Sequence, residues 1–376
     1  MKVALVHDWL VGMRGGEKCL DLICELLPGA EIFTLLHAMG SVSARIEARP
    51  IRTSFLQHLP MAFRAYPYFL PLLPWAIEQF DMREYDAVVS VSHCVAKGIV
   101  PRPLAWHGCY CLTPMRYIWD AYGDYFDGRG SRSLRAGGRV FAPLLRMWDV
   151  ASSARVDDFA AISEHVRSRI RRYYRREARV IYPPVDDLFF AAGLPSGRGG
   201  YFLSVGAAAP NKRLDLTVEA FRELGLPLVI AGAGPGAQQL RRSAPANVAF
   251  FGWSTDEELI ALYRGARALV FPGYDDFGLT PLEAAAVGRP TIAFAGGGAL
   301  ETVIPSGSGE EATGVLFAEQ TAAGLVAGVR EFLAIEDQFD PARLRAHAKR
   351  FARAECRTEL EKFLRQGIPA EAFAAC

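Results

Sequence analysis

The chain has 376 residues, 51% of them apolar, with 42 Lys and Arg against 41 Asp and Glu and a formal net charge of +1 at pH 7. That length suggests two domains with sizeable cores, and the composition excludes a disordered chain. The balanced charge creates no global field to draw nucleic acid or an acidic partner, so membrane contact would have to come from a local patch. The seven cysteines are scattered without a Cys-x-x-Cys pair, Cys109 and Cys111 being two apart, which fits reduced thiols in a cytosolic protein. The opening apolar run is too short for a signal peptide and has no small-residue cleavage site, and no transmembrane span is found.

Residues 3–6 read as a first strand ending at His7-Asp8-Trp9, and Gly12 to Lys18 lead toward a helix expected near Cys19. Adjacent Gly15 and Gly16 would let backbone N–H groups approach a phosphate or a sugar, although the spacing is neither a P-loop nor Gly-x-Gly-x-x-Gly. A plain loop leading into a helix is the alternative. The apolar stretch 55–80 is broken by Pro60, Pro67, Pro71 and Pro74 and carries Arg64, so it cannot form one spanning helix. Contact with a membrane surface or a lipid-linked acceptor and burial as a subdomain are both open.

A strand at 87–91 puts His93 at a carboxyl end, facing a cleft or capping a helix. Further on, Cys109-Tyr110-Cys111-Leu112-Thr113-Pro114-Met115-Arg116-Tyr117 offers Arg116 as a cation for a phosphate or acceptor, or for a structural ion pair. Arg132, Arg135, Arg139 and Arg146 punctuate Leu134, Val140, Phe141, Leu144 and Leu145. This is the pattern of an amphipathic helix on an anionic membrane or, the preferred reading, an ordinary solvated helix face.

Strands at 159–162, 180–182, 201–205, 228–231, 248–250, 268–271 and 291–295 continue the series with helical stretches between them. Such alternation means parallel sheets with crossover helices. Pro183-Pro184 and Gly193 to Gly200 have linker composition, so the expected division is 1–187, 188–355 and a terminal segment 356–376. Residues 340–367 are helical in pattern, with Leu344, Phe351, Leu360 and Phe363 as packing residues. After the strand at 201–205, Gly206 opens a loop in which Lys212 is a cation at a carboxyl end, or with Arg213 a solvated first helical turn. Gly232 to Ala237 fits Gly-x-Gly-x-x-Ala, but a tight turn is preferred because the run does not follow a first strand, and Trp253-Ser254-Thr255 reads as a helix start.

The densest segment is 268–286. Its strand stops at Pro272-Gly273, Asp275 and Asp276 make an acidic turn, and Thr280-Pro281-Leu282-Glu283 has the signature of a helix N-terminus. Asp275 and Glu283 would then flank one crevice, where open α/β sheets hold phosphorylated ligands beside a helix dipole. A Thr280–Glu283 capping box and a polar turn are the alternative.

Asp275, seven residues, then Glu283, with Phe277-Gly278 inside and Ala284 after, resemble the Glu-x7-Glu motif of retaining glycosyltransferases of family 4, in the bacterial polysaccharide and mannosyltransferase-like branch. The resemblance covers almost the whole chain. It implies an α/β protein of GT-B fold: two Rossmann-like domains, an acceptor-binding first and a nucleotide-sugar-binding second, with a deep interdomain cleft and a C-terminal helix crossing back. In that scheme Glu283 holds the ribose, Asp275 the sugar hydroxyls and Lys212, beyond Gly206, the diphosphate. Backbone at Phe277, Gly278 and Leu279 and the helix start at Thr280 orient the donor. Trp253 lies near the base, Gly15 and Gly16 face the donor, Arg116 is a candidate phosphate cation, and His93 joins the catalytic candidates. Two positions depart from the family pattern: Ala207 stands where Gly-Arg-x4-Lys has Arg, and Leu112 where Cys-His-Thr-Pro-Met-Arg-Tyr has the His that reaches the donor sugar. Asp275 is one methylene shorter than the usual Glu.

The implied reaction moves a hexose, best taken as mannose, from a nucleotide-diphosphate sugar to a lipid-linked or oligosaccharide acceptor with retention, in cell-surface polysaccharide synthesis. No cofactor or metal is expected, since no His-x-Glu, Cys-x-x-Cys or Asp-x-Asp cluster offers a metal site. The expected setting is the cytoplasm, with peripheral contact at the inner membrane face and no nucleic acid. Two other readings stay open. One is a catalytically degenerate GT-B protein that binds nucleotide or scaffolds a polysaccharide-assembly complex; the other is a nicotinamide-dependent dehydrogenase using Gly232 to Ala237.

Overall fold

The computed structural model describes residues 1–120, 122–123, 132–207, 209–234, 236–252 and 254–373, the side chains of 64–68, 132–137 and 310 excepted. The chain divides into two compact units, Met1–Pro183 with Cys356–Cys376, and Pro184–Glu355.

In the first unit the strands are β1 Val3–His7, β2 Glu31–Thr34, β3 Ile51–Thr53, β4 Ala87–Ser92, β5 Trp106–Cys111, β6 Asp158–Ala161 and β7 Arg179–Val180. They form one sheet in the order β3-β2-β1-β4-β5-β6-β7, every pairing parallel. In the second unit β8 Tyr201–Val205, β9 Leu228–Ala231, β10 Val248–Gly252, β11 Ala266–Phe271, β12 Thr291–Phe294 and β13 Gly314–Phe317 pair in parallel in the order β10-β9-β8-β11-β12-β13. β1 and β4 are buried along their whole length, as strands covered by helices on both faces must be, and their near-continuous apolar runs made them legible.

β2, β3, β5 and β13 were not anticipated. β5 reads Trp-His-Gly-Cys-Tyr-Cys, with no branched aliphatic side chain. Its place is fixed by contacts from distant elements: the His107 ring meets Ser90 Oγ at 2.9 Å and the Arg155 carbonyl at 3.1 Å, and Tyr110 donates its hydroxyl to the Ile181 carbonyl at 2.9 Å.

Two local expectations are corrected, and one left open is narrowed. The first helix spans Gly15–Leu26 and so begins before Cys19, because Glu17 reaches back to accept the Arg14 N–H at 3.0 Å and caps the start. Residues 55–80 fold into short helical turns whose Leu56, Leu73, Ala76 and Ile77 enter a core with Phe33, Met82, Ala142 and Leu145. Phe63, Leu72 and Trp75 nevertheless remain exposed, so the stretch is a buried subdomain on one side only. The Arg132–Ser153 helix does not present an ordinary polar face: Val140, Phe141, Leu144, Met147 and Val150 are exposed along it. No described helix is long and apolar enough to cross a membrane.

The helices Pro341–Lys349 and Arg353–Leu364 occupy the terminal segment expected to be helical. Within the first unit the Phe363 ring lies 5.8 Å from that of Trp106 on β5, with Leu360 and Leu364 buried beside it. Removing this buried ring by Phe363→Ala is expected to cost about 3–5 kcal/mol. Scanning calorimetry should show the first unit's midpoint fall by roughly 10 °C; an unchanged midpoint would mean that the terminal segment does not stabilise that sheet.

Candidate functional site

In both sheets the strand order reverses at the centre, between β1 and β4 and between β8 and β11. Loops leaving the carboxyl ends of such a pair diverge to opposite faces and leave a crevice, the usual ligand position in open α/β sheets.

In the second unit, β8 ends at Gly206 and the chain makes a 3-10 turn, Pro210–Lys212, before the Leu214–Leu224 helix. Lys212 is therefore not a solvated residue of a helical first turn. Its Nζ forms an ion pair with Asp275, while Asn211 Nδ2 donates to the other Asp275 oxygen at 3.0 Å. Backbone bonds stitch the same loops: the Tyr274 N–H donates to the Asn211 carbonyl at 3.0 Å, and the Gly298 N–H to the Asp275 carbonyl at 2.9 Å. Gly298 also packs directly on Phe277, where a Cβ would stand 2.2 Å from the Phe277 Cα. The loops after β8, β11 and β12 thus form one assembly. The run Gly296-Gly297-Gly298, which sequence reasoning passed over, is its third member.

The helix Leu279–Ala286 is preceded by Gly278 at φ +89°. Thr280 is its second residue and does not cap it; its hydroxyl is buried with no hydrogen-bond partner among the described residues. Nor does Glu283 close a capping box. Its Oε2 accepts from the Tyr263 hydroxyl at 3.0 Å, and that hydroxyl lies 3.4 Å from the Thr280 carbonyl. Burial, then the adjacent Glu283 carboxylate, push the Tyr263 phenol well above its ordinary range, so it stays a donor. Tyr263 was missed because it precedes Glu283 by almost six helical turns' worth of chain with no pattern linking them. Phe277 is buried against Phe351, ring centroids 5.9 Å apart, so only its backbone can serve a ligand. Leu279 is half-buried at the helix start, where N–H groups lack intrahelical acceptors.

Gly232, at the end of β9, has φ +144° and donates its N–H to the Gly252 carbonyl at 2.7 Å. A Cβ there would stand 2.0 Å from the Gly206 carbonyl oxygen. The glycine is required by the neighbouring strand end, so no dinucleotide is needed to explain it. The expected helix start after Ser254 is present: Thr255 caps Asp256–Gly265 with a reciprocal bond from Glu258. Trp253 lies outside the described residues.

In the first unit, β1 ends in His7-Asp8 and β4 is followed by His93. The fully buried Asp8 carboxylate accepts the backbone N–H groups of His93, Cys94, Val95 and Ala96 at 2.7, 3.0, 2.6 and 2.8 Å, and His93 Nδ1 at 3.0 Å. Burial would raise the Asp8 pKa, but His93, His7 and the backbone donors overcome it and hold the carboxyl well below its usual range. His93 stands edge-on to Trp9, centroids 4.5 Å apart, with its side chain 21% exposed. Its Nε2 carries no hydrogen bond among the described residues. Burial lowers the imidazole pKa and Asp8 more than restores it, for a net rise.

Beside this pair, His7 contacts the Val91 carbonyl at 3.0 Å and Glu17 at 3.4 Å. Gly15 and Gly16 are the first two residues of the Gly15–Leu26 helix. A Cβ on Gly16 would lie 2.7 Å from Leu112 Cδ1 and 3.5 Å from the His7 ring, so Leu112 fills the space next to His7 and the helix start. Arg116 is half-buried in the turn that follows Met115. Sequence reasoning found His93 but not Asp8, His7 or Glu17; an acid directly after the first strand was the available signal.

The comparisons fit this geometry. Full-length likeness to solved structures shows the GT-B fold. The lipopolysaccharide outer core galactosyltransferase WaaB in its apo form has a TM-score of 0.66 at 15% identity, covering 98% of this chain and 100% of that one. The Anabaena protein HepE in complex with UDP has a TM-score of 0.70 at 14% identity, covering 97% and 100%. Residues 186–354 match the family model described as Glycosyl transferases group 1, so the second unit is a domain of that kind. O-antigen chain mannosyltransferase C of Escherichia coli is 38% identical over 99 residues, 24% of this chain and 27% of that protein. D-rhamnosyltransferase WbpZ of Pseudomonas aeruginosa is 37% identical over 140 residues, 33% of this chain and 37% of its own. The chain therefore spans 27–37% of the length of these curated relatives.

Two outcomes follow from the geometry. Gly232→Ala should destabilise the second unit by about 2 kcal/mol or more, through strain at positive φ and the clash with Gly206. Its thermal midpoint should drop by roughly 5 °C without any ligand present, whereas a loss confined to ligand binding would contradict the backbone explanation. The second concerns pH. The raised His93 value makes its contribution full below the ordinary 6.5 and lost as pH rises through the folded value. The depressed Asp8 value makes its contribution present above 3.8 and lost as pH falls through the folded value. An NMR titration should place the His93 midpoint above 6.5 and lower it in Asp8→Asn; a wild-type midpoint at or below that value would break the pair assignment.

Proposed function

We propose that this protein is a retaining glycosyltransferase of family 4 that moves a hexose, best taken as mannose, from a nucleotide-diphosphate sugar to a lipid-linked or oligosaccharide acceptor in cell-surface polysaccharide synthesis. The observation that carries the reading is the joined loop assembly at the ends of β8, β11 and β12, which brings Lys212 to Asp275 beside the helix that holds Glu283. Relatives named mannosyltransferase and rhamnosyltransferase support a hexose of that type, and the likeness to HepE with UDP supports a nucleotide ligand.

In this scheme the donor diphosphate displaces Asp275 from Lys212, and the ammonium and the N-terminus of the Leu279–Ala286 helix stabilise the charge that develops as the sugar–phosphate bond breaks. Freed from Lys212, Asp275 takes sugar hydroxyls. Glu283, fixed by Tyr263, takes the ribose, and Gly206 with the backbone at Phe277, Gly278, Leu279 and Thr280 orients the donor. Trp253 lies near the base, and Gly15, Gly16 and Arg116 belong to the donor-facing set. His93, its Nδ1 proton committed to Asp8, offers Nε2 to the acceptor. The acceptor oxygen bonds to the anomeric carbon on the face from which phosphate departs, and a phosphate oxygen receives its proton. The scheme is metal-independent and draws on no organic cofactor. It is set in the cytoplasm, with peripheral contact at the inner face of the membrane.

One observation favours a second reading, a catalytically degenerate GT-B protein acting as a nucleotide-binding or scaffold partner. Ala207 is exposed where a second phosphate cation belongs, and Leu112 supplies no polar group beside His7. The missing cation alone is worth about 3 kcal/mol on the scale of such contacts.

Thermal shift and nucleotide release against UDP-, GDP- and ADP-sugars separate the two readings. One donor should stabilise the protein, Glu283→Ala should lose that response, and Lys212→Ala should slow acceptor-dependent release by roughly 10²–10³-fold. Binding without release in the presence of lipid-linked acceptors would leave the scaffold reading standing, and no response to any donor would remove the transferase.

A further inference from the structure

The helix Asp256–Gly265 buries a single residue along its length, Tyr263. A helix with so little apolar anchorage has to be fixed in another way, and its last turn shows how. The carbonyls there have no intrahelical donor to meet. They are taken in succession: Leu262 by the Tyr201 hydroxyl at 2.8 Å, Tyr263 by the Ala266 N–H, and Arg264 by the Arg289 guanidinium, with Nε at 3.2 Å. The fully buried Tyr263 ring stands edge-on to Phe189, centroids 6.0 Å apart. Backbone and ring are thus both set independently of what the hydroxyl touches.

That hydroxyl reaches the start of the Leu279–Ala286 helix, with Glu283 Oε2 at 3.0 Å and the Thr280 carbonyl at 3.4 Å. The carboxylate, nearer and charged, is the stronger acceptor and takes the proton's hydrogen bond. The Thr280 hydroxyl, three residues earlier, has no hydrogen-bond partner among the described residues and so does not compete for Glu283. An ionised carboxylate has about four lone-pair sites, so one phenol bond orients Glu283 without exhausting it. Filling the buried space would take only a phenylalanine ring at 263. The hydroxyl adds something else: it fixes the plane of a half-buried carboxylate.

A carboxylate able to swivel answers a missing ligand hydroxyl by turning to water, and little is lost. One held in plane by a buried phenol cannot turn, so a ligand lacking that hydroxyl leaves an acceptor unpaired. Holding the group still converts a general acceptor into a sensor for a hydroxyl at one place. We propose that Tyr263 is a positioning residue that makes the Glu283 site select ribonucleoside over 2′-deoxyribonucleoside diphosphates. The donor is then a ribonucleotide sugar, and deoxythymidine-type donors are refused. The inference rests on the proposed assignment of Glu283 to the donor's ribose and adds which class of nucleotide sugar can serve.

The test is calorimetric titration of the full chain with GDP, UDP and ADP, each against its 2′-deoxy form. For the base that binds, the ribose form should be tighter by roughly 10–100-fold, the worth of one hydrogen bond to a charged group. Tyr263→Phe keeps the ring and should keep the circular dichroism spectrum, yet it should cut that ratio by roughly 10-fold. Glu283→Gln should lose the discrimination by itself, and Tyr263→Phe in that background should change the ratio no further, because the phenol acts through the carboxylate. A purely structural tyrosine would lower affinity for both forms alike and leave the ratio where it was. A discriminating wild type with an equally discriminating Tyr263→Phe would therefore overturn the inference and leave the transferase reading intact. Equal binding of the two forms by the wild type would overturn the Glu283 assignment and this inference together. Binding of none of the nucleotides would remove the proposed function itself, and the inference with it.

Discussion

A parallel sheet whose strand order reverses at its centre has to send two adjacent chain ends apart, and what lies in the resulting gap cannot be filled by the sheet itself. Both units are built around such a reversal, β1 against β4 and β8 against β11. In each, polar groups at the gap are held from the backbone up. In the first unit a single buried carboxylate, Asp8, gathers four successive N–H groups after β4 and thereby fixes where the His93 ring stands. The second unit achieves the same with glycines and backbone bonds: Gly232 admits the Gly206 carbonyl where a Cβ would clash, Gly298 packs on Phe277, and bonds from Tyr274 to Asn211 and from Gly298 to Asp275 join the loops after β8, β11 and β12 around Lys212 and Asp275. The positions of the chemical groups therefore depend on strand order first and on side-chain packing second.

That dependence decides what the sequence could reveal. Strands buried on both faces, such as Val3–His7 and Tyr201–Val205, announce themselves as apolar runs. β5 does not, because His107 and Tyr110 are satisfied by residues 48 and 71 positions away and the strand has no local pattern. The same holds within the site. Lys212, Asp275 and Glu283 were legible because they sit in short local patterns. Asp8 acts on residues 85–88 positions distant, and Tyr263 reaches Glu283 across 20, so neither could be found by spacing. The false leads have a similar origin: Thr280 and Glu283 have the spacing of a capping box, but Gly278 at positive φ precedes the helix, Thr280 falls inside its first turn and Glu283 turns to Tyr263 instead.

The departures from the family pattern acquire physical content from their surroundings. Leu112 and the His7 ring both border Gly16 at the helix start, a Cβ there standing 2.7 Å from Leu112 Cδ1, so an apolar side chain fills the place of the polar ring that the resemblance implies. Ala207 leaves Lys212 as the cation of its loop that Asp275 already engages. Under the proposed function, donor binding has to open an existing ion pair, and the free energy of the pair is subtracted from the gain at the phosphate. Asp275 is held in that pair by a second partner as well, accepting from Asn211 Nδ2 at 3.0 Å.

The central claim is that a nucleotide-diphosphate sugar binds where β8 and β11 part. Hydrogen–deuterium exchange with and without GDP-mannose, repeated with UDP-glucose, tests it most directly. The account predicts that one of these donors slows exchange in 206–213 and 273–283 and leaves the Gly232 turn unchanged. Protection centred on 232–237, or no protection of either loop by any donor, would contradict it.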